Sequence, residues 1–213
     1  MKKVALIIIG IVIIVVALMF GTESESNEDF LKKYTKGYMD ITYLGDKNLY
    51  SEVTDITSDE GNKLYEESVK IESGYFKEFF ELENITEEKD NELKGLIKEY
   101  YKKTKYEITE IKEKETDKYE VKLKISPLNV IKIVEDGLIK KMETATEDIT
   151  KDENWNTMVI DILKNNIENV AYFEDEIVNI KIFKNVDGLF EFEQDSLNEI
   201  DNKVIKYDYN TKE

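Results

Sequence analysis

One uninterrupted apolar run near the start of the sequence, residues 4–20, divides the chain into two parts that need different surroundings. The run begins at Val4, ends at Phe20 and reads VALIIIGIVIIVVALMF. As a helix of 17 residues it would be about 26 Å long, close to the roughly 30 Å hydrocarbon thickness of a bilayer. Lys2 and Lys3 precede the run, and lysine stays on the cytoplasmic side. The sequence therefore predicts a single membrane span, with the carboxyl-terminal part outside the cell.

The end of this run distinguishes an uncleaved anchor from a signal peptide. Cleavage sites need small residues at alternating positions, and the segment ALMFGT at residues 17–22 has no such pattern. A lipoprotein would need a cysteine at this point, and the chain contains none. We therefore predict an uncleaved anchor formed by residues 1–21. A removed signal peptide, which would make the protein secreted, is the alternative.

The rest of the sequence divides into a linker, one domain and a tail. Residues 22–28 form a short polar linker that reaches roughly 15 Å, so the domain is expected to sit close to the bilayer. Residues 29–205 have the hydrophobic periodicity of one extracellular α+β domain. Residues 206–213 are polar and are predicted to be a frayed tail.

Charge and missing residue types exclude several classes of function. The chain has 30 basic and 47 acidic residues and a net charge of −17, so it repels phosphate backbones and we predict no nucleic acid partner. It contains no cysteine and no histidine, which removes thiol nucleophiles, the usual general base and the commonest zinc ligands. It has no glycine-rich phosphate loop, and no cofactor is predicted. A pair of carboxylates acting as acid and base is the remaining catalytic possibility.

One acidic cluster raises the possibility of a calcium site, because Ca²⁺ binds oxygen ligands. Asp148, Asp152, Glu153 and Asn154 lie between two predicted helices. They lack the spacing of a calcium-binding loop, and a solvated helix cap explains them equally well. We therefore predict no metal site.

Changes in hydrophobic period predict which segments are helices and which are strands. Helical spacing begins near Phe30, Thr57 or Ser58, Thr86, Pro127 and Trp155. Between residues 105 and 126 the period is two, which predicts a hairpin, and Ile111 is out of phase, which predicts a bulge. A second hairpin is predicted to turn at Asp187 and Gly188.

These elements predict an α+β fold, with about five main helices packed on one face of a four-stranded antiparallel sheet. In the clearest strand Tyr119 and Val121 alternate with Glu120, Lys122 and Lys124. Alternation places successive side chains on opposite faces, so the second face of the sheet is expected to be charged and wet.

This strand also carries a resemblance to a known group of proteins. Residues 118–128, which read KYEVKLKISPL, follow an anchor and leading helices and precede further helices. The layout resembles anchored lipoproteins of unknown function from Firmicutes, with a nuclear-transport-factor-2-like, or cystatin-like, domain. The resemblance implies a sheet curled into a cone around a long helix, with a pocket or a protein-binding face. The chain departs from this pattern in lacking the lipoprotein cysteine and in placing two long helices between its hairpins.

The composition agrees with that source. Lysine, glutamate, isoleucine, asparagine and tyrosine are abundant and arginine is absent, a bias expected of an AT-rich genome. It indicates a low-GC Gram-positive bacterium, whose cell surface would surround the extracellular domain.

The predicted function is non-enzymatic binding of an envelope protein or a small ligand close to the membrane. If the sheet curls, five residues would line its concave side: Tyr119, Val121, Ile180, Phe190 and Phe192. The alternative is that helices fill this space completely, which makes the five residues ordinary core. A cell-wall-acting hydrolase that uses carboxylates is the competing function.

Overall fold

The computed structural model describes residues 26–144 and 151–209. Within these ranges the chain forms seven α-helices, a π-helical turn, a 3₁₀ turn and four strands. In chain order the elements are α1 (Asn27–Met39), the π turn (Asp40–Leu44), α2 (Asn48–Val53), α3 (Ser58–Phe79), α4 (Glu87–Tyr101), β1 (Lys105–Glu115), β2 (Lys118–Ser126), α5 (Val130–Met142), α6 (Asp152–Asn165), the 3₁₀ turn (Ile167–Asn169), β3 (Glu176–Lys184), β4 (Phe190–Phe192) and α7 (Gln194–Val204).

The four strands form one antiparallel sheet in the order β1-β2-β3-β4. In the ladder between β2 and β3, Tyr119 pairs with Ile182 and Val121 pairs with Ile180. These four side chains are buried, whereas their neighbours along the strands are more exposed, so one face of the sheet lies under the helices. The predicted α+β architecture, with helices on a four-stranded antiparallel sheet, is confirmed.

The membrane span predicted at residues 4–20 lies outside the described residues. Among residues 26–144 and 151–209, no helix is both long enough and apolar enough to cross a bilayer.

The predicted bulge in β1 is present. The β1–β2 register shifts between Ile108 and Glu110, so Thr109 is the extra residue. After the shift Ile111 pairs with Val121, which is fully buried. The bulge therefore returns an out-of-phase isoleucine to the face that packs against the core.

Helix α3 begins at the capping signal that the sequence contains. The Thr57 side chain accepts a hydrogen bond from the backbone N–H of Glu60, and the Glu60 carboxylate accepts one from the backbone N–H of Thr57. This reciprocal capping box satisfies two of the N–H groups that a helix start leaves without partners.

Helix α5 does not begin where the sequence predicted. Pro127 is an allowed first-turn residue, yet the helix starts at Val130. The carbonyl of Pro127 accepts a hydrogen bond from Phe173 N at 2.9 Å, and Leu128 N donates to Val204 O at 2.9 Å. These long-range backbone bonds hold the segment in an extended conformation and delay the helix.

The chain remains packed against the domain after α7. The Tyr207 ring lies 5.2 Å from the Phe79 ring, and the Tyr209 ring stacks on Phe173 at 5.5 Å. Residues 206–209, which we predicted as the start of a frayed tail, are therefore held by aromatic contacts. Residues 210–213 lie outside the described part of the chain.

Candidate functional site

The five residues predicted to line a ligand pocket lie together on the helix-covered face of the sheet. Tyr119, Val121, Ile180 and Phe190 are buried, and Phe192 is partly buried against the same core. The structure therefore brings all five into contact with the core. This matches the alternative interpretation, in which helices fill the space and the five residues are ordinary core. Their role as ligand contacts is tested by no observation and stays a prediction.

Helix α1 fills the space over these residues. The Phe30 ring lies 5.2 Å from the Phe190 ring, and the Tyr34 ring is stacked on the Phe192 ring at 4.4 Å. The Tyr38 ring lies 5.0 Å from Phe192. Ring centroids at these separations are in direct contact. A ligand could reach the predicted pocket wall only if α1 moved away from the sheet.

The opposite face of the sheet, here called the outer face, carries charged side chains in cross-strand rows. As the sequence predicted, Glu120, Lys122 and Lys124 lie on it. The ion pairs that bridge strands are Lys124–Glu107 at 2.5 Å, Lys122–Glu110 at 2.7 Å and Lys114–Glu120 at 2.8 Å, and Lys181 pairs with Glu193 at 3.0 Å. Opposite charges facing each other across strands contribute to sheet stability and leave little net charge on the surface.

Two apolar residues of β3 are exposed among these charges. Phe183 is 38% exposed and Ile177 is 49% exposed, and both lie on the outer face because they alternate with buried Val178, Ile180 and Ile182. The predictions from the sequence concerned only the buried residues of β3. The signal for these two exposed residues was the unbroken apolar character of Ile177-Val178 and Ile182-Phe183, where simple alternation would put polar residues at positions 177 and 183.

A shallow groove of about 500 Å³ borders Phe183 at the end of the sheet where β1 turns into β2. Its lining residues are Lys114, Glu115, Lys118, Tyr119, Glu120, Lys181, Ile182, Phe183 and Glu193. Six of these nine residues are charged, although the exposed area of the wall is mostly apolar. Such a wall suits an apolar group with a polar end, for example a side chain of a larger partner.

A second constellation lies inside the domain, where Glu72 and Asp201 are surrounded by tyrosines. Tyr101 donates a hydrogen bond to Glu72 Oε2 at 3.2 Å, and Tyr207 donates one to Glu72 Oε1 at 2.5 Å. Tyr43 donates a hydrogen bond to Asp201 Oδ1. The five residues come from α3, α4, α7, the π turn and the final segment, so only the tertiary fold brings them together.

Both carboxyl groups of this cluster have raised pKa values. Burial raises the pKa of Glu72 to about 7; the negative charge of Asp201 adds to the increase and the Tyr207 and Tyr101 hydrogen bonds oppose it. Burial raises the pKa of Asp201 to about 6, against the hydrogen bond from Tyr43. Carboxyl groups with such pKa values can hold or release a proton near neutral pH, which is what a general acid needs.

The π turn takes part in two separate tyrosine–carboxylate hydrogen bonds. Tyr43 in the turn bonds Asp201, while Asp40 at its start accepts hydrogen bonds from Tyr106 and Lys36. Turns of this kind are wider than an α-helix and often occur at functional sites. The Ser68 hydroxyl donates to the carbonyl of Thr42 in the turn at 2.7 Å, which ties the turn to α3.

A signal for these two acids was present in the sequence. Glu72 lies three residues after Val69 and four before Phe76, so it occupies the apolar stripe of α3. Asp201 follows Leu197 by four residues in α7 in the same way. A charged residue on a core-facing stripe is rarely buried without a partner. The sequence could therefore have marked both positions, although not their tyrosine partners.

The structure describes three of the four residues considered for calcium, and all three lie in the first turn of α6. Asp148 lies outside the described residues. Asp152 begins α6 and accepts a hydrogen bond from Asn84 at 2.7 Å, and Glu153 lies in the same first turn, where the helix dipole favours negative charge. Among the residues that the structure describes, no group of three or more acidic side chains is placed to hold a metal ion.

Comparisons with known proteins give a likeness in fold. No family model matches the chain. No curated protein matches it. Among solved structures, the fold is similar to the crystal structure of "a putative lipoprotein (ycdA)" from Bacillus subtilis, with a TM-score of 0.56 and 17% sequence identity over 84% of this chain and 58% of that chain.

This likeness concerns the fold alone, because the identity is low, and the chain spans 58% of the length of the protein that it matches. The neighbour comes from a Firmicute and is described as a lipoprotein, which agrees with the coarse part of the resemblance drawn from the sequence. The comparison does not confirm the nuclear-transport-factor-2-like cone.

Proposed function

We propose that this protein is a membrane-anchored extracellular module that binds another envelope protein through the outer face of its sheet and catalyses no reaction. The apolar run at residues 4–20 supports the anchor. The likeness in fold to a Bacillus subtilis protein described as a lipoprotein supports a place at the cell envelope.

The observation that carries the binding role is the exposed Phe183 on the outer face, with Ile177 exposed on the same face near the other end of β3. Phe183 and Ile177 lie among charged side chains that already pair with each other. Interfaces combine an apolar, well-packed centre with a polar rim, and aromatic residues are enriched at that centre. Burying Phe183 against a partner would contribute about 1–2 kcal/mol, because it is only partly exposed at the start.

Charge favours this face over the rest of the surface. The whole chain has a net charge of −17, which repels most acidic partners. On the outer face Lys114, Lys122 and Lys124 each pair with a glutamate, so a partner meets a nearly neutral surface. A protein surface that is apolar at its centre and neutral or basic at its rim fits this arrangement best.

The experiment is site-specific photo-crosslinking of the full-length protein in its native membrane. A photoreactive residue at Asn179, which is exposed between Ile177 and Phe183, should crosslink to one specific envelope protein. The same residue at Lys132 on α5 is the control and should not capture that protein. The substitution Phe183→Ser should remove the crosslink from position 179, whereas Ile139→Ser, at an exposed isoleucine on α5, should leave it intact. Equal capture at positions 179 and 132 would contradict the outer face as the binding surface.

The raised pKa values of Glu72 and Asp201 favour a second candidate, a carboxylate-dependent hydrolase acting on the cell wall. Both oxygens of Glu72 accept tyrosine hydrogen bonds, so a substrate would have to replace at least one of them. Turnover of cell-wall glycan by the full-length protein, abolished by Glu72→Gln with the fold retained, would establish this function. Equal activity of both proteins, or none in either, would exclude Glu72 as its general acid.

A further inference from the structure

The first described residues of the chain lie at one end of the sheet. Ser26 caps α1, and Asn27 Nδ2 donates a hydrogen bond to Tyr119 Oη at 2.8 Å. Tyr119 is the second residue of β2, directly after the turn that joins β1 to β2. The chain therefore enters the domain beside that turn.

The second hairpin turn lies at the same end. Phe183 pairs with Lys118 at the start of β2, and Lys184 N donates a hydrogen bond to Asp117 O at 2.8 Å. The turn that follows β3, residues 185–188, is therefore beside the β1–β2 turn and the start of α1. We refer to residues 185–188 as the Val186 tip.

The Val186 tip is tightly built and presents an apolar side chain. Asn185 Oδ1 accepts hydrogen bonds from Asp187 N at 2.9 Å and Leu189 N at 3.0 Å, and Gly188 has a φ of +80°, which glycine adopts without strain. At the apex of this turn Val186 is fully exposed. Turn positions are usually occupied by polar or small residues, and the fully exposed Val186 side chain is available here for an apolar contact.

The distance from the membrane is limited by the length of the chain. Five residues, 21–25, separate the end of the apolar run from Ser26, and the six residue steps from Phe20 to Ser26 span at most about 21 Å in a fully extended chain. If residues 4–20 span the bilayer, the end of the domain that carries Ser26 must lie within that distance of the lipid. The Val186 tip belongs to that end.

We propose that the Val186 tip rests on the lipid surface with Val186 in the boundary between headgroups and acyl chains. This inference rests on the anchoring part of the proposed function. In this orientation the strands run roughly perpendicular to the bilayer plane. The outer face then points parallel to the membrane surface, toward neighbouring envelope proteins. One valine binds lipid weakly, but the anchor makes the contact intramolecular, so a weak affinity suffices.

The absence of cysteine from the sequence allows clean labelling of the full-length protein. Val186→Cys carries an environment-sensitive fluorophore, and Ile177→Cys, at an exposed position near the opposite end of β3, is the matched control. The proteins are reconstituted in vesicles of phosphatidylcholine brominated near the headgroup. These lipids have no net charge and so are not repelled by Asp117 and Asp187. We expect several-fold stronger quenching at position 186 than at position 177.

The possible results distinguish failure of the membrane anchor from failure of the contact between the Val186 tip and lipid. If the full-length protein fails to float with the vesicles, the anchor is wrong, and the proposed function and this inference fall together. If it floats but the labels at 186 and 177 are quenched equally, the tip contact alone is wrong. If position 186 is shielded in native membranes but not in pure lipid vesicles, a protein covers the tip, and the lipid contact is again wrong.

Discussion

Tyr207 donates a hydrogen bond to Glu72 Oε1 at 2.5 Å, although the two residues are 135 positions apart in the sequence. Glu72 is 5% exposed, so its carboxyl group has lost most of its water. The bond ties the end of the chain to α3 and partly replaces that lost solvation. Because Asp201 lies near enough to raise the pKa of Glu72 further, the cluster makes stability sensitive to pH.

Replacing Glu72 with glutamine should reduce the pH dependence of stability. Burial raises the pKa of Glu72 from 4.5 to about 7, so between these values the folded state binds more protons than the unfolded state. The free energy of unfolding therefore falls as pH rises through this window and is largest below it. In the wild type, titration of the Glu72 carboxyl should lower the free energy of unfolding by about 2–3 kcal/mol between about pH 5 and pH 8. This loss should be absent from Glu72→Gln.

The measurement is urea unfolding of both proteins across that pH range. Glu67→Gln, at an exposed glutamate on the same helix, is the control and should show the slope of the wild type. Identical slopes for the wild type and Glu72→Gln would show that the carboxyl group of Glu72 titrates alike in the folded and unfolded states.

Removing the hydroxyl of Tyr207 should destabilise the protein and loosen its final segment. Tyr207→Phe keeps the ring contact with Phe79 but leaves one oxygen of the buried Glu72 without its donor. We expect a loss of about 1–3 kcal/mol in the free energy of unfolding. Hydrogen exchange should become faster in residues 204–209 and stay unchanged in β2. Unchanged exchange at 204–209 would show that the Tyr207–Glu72 bond does not hold the segment.

Truncating the rings beneath α1 should be far more costly than truncating the exposed phenylalanine of the outer face. Phe190→Ala opens a cavity next to Phe30 and Tyr119 and should lower the free energy of unfolding by about 3–5 kcal/mol. Phe183→Ala removes a partly exposed side chain and should cost about 1 kcal/mol or less. Thermal unfolding of both variants gives the comparison. A small loss in Phe190→Ala would support the prediction that these residues line a pocket.

Two helical glycines should respond in opposite directions to alanine. A Cβ at Gly37 in α1 would lie 2.9 Å from the backbone N and Cα of Tyr50, so α1 and α2 would have to separate. A Cβ at Gly95 in α4 would have no neighbour within 4 Å. Gly95→Ala should stabilise the protein by about 0.5–1 kcal/mol by restricting the unfolded chain, whereas Gly37→Ala should destabilise it. Stabilisation by both would mean that α2 packs more loosely on α1 than the structure shows.

The strands and helix starts could be predicted because their signals are local. The alternation of Tyr119 to Ile125, the out-of-phase Ile111 and the cap at Thr57 each depend on neighbouring residues, and all three have the predicted form. The start of α5 was missed because Pro127 and Leu128 bond to Phe173 and Val204, which are distant in the sequence. No pattern around Pro127 contains that information.

The sequence by itself determined that the domain is α+β, that one face of its sheet is charged, and that an apolar run precedes it, since each of these follows from the order and spacing of apolar residues. Only the tertiary structure decided that α1 packs over the face predicted as a pocket, that Glu72 bonds Tyr207 and lies near Asp201, and that the Val186 tip lies at the same end of the sheet as Asn27. These outcomes depend on which of several apolar faces pack together. That choice is made by the complementarity of whole surfaces distant in the chain, which hydrophobic periodicity does not encode.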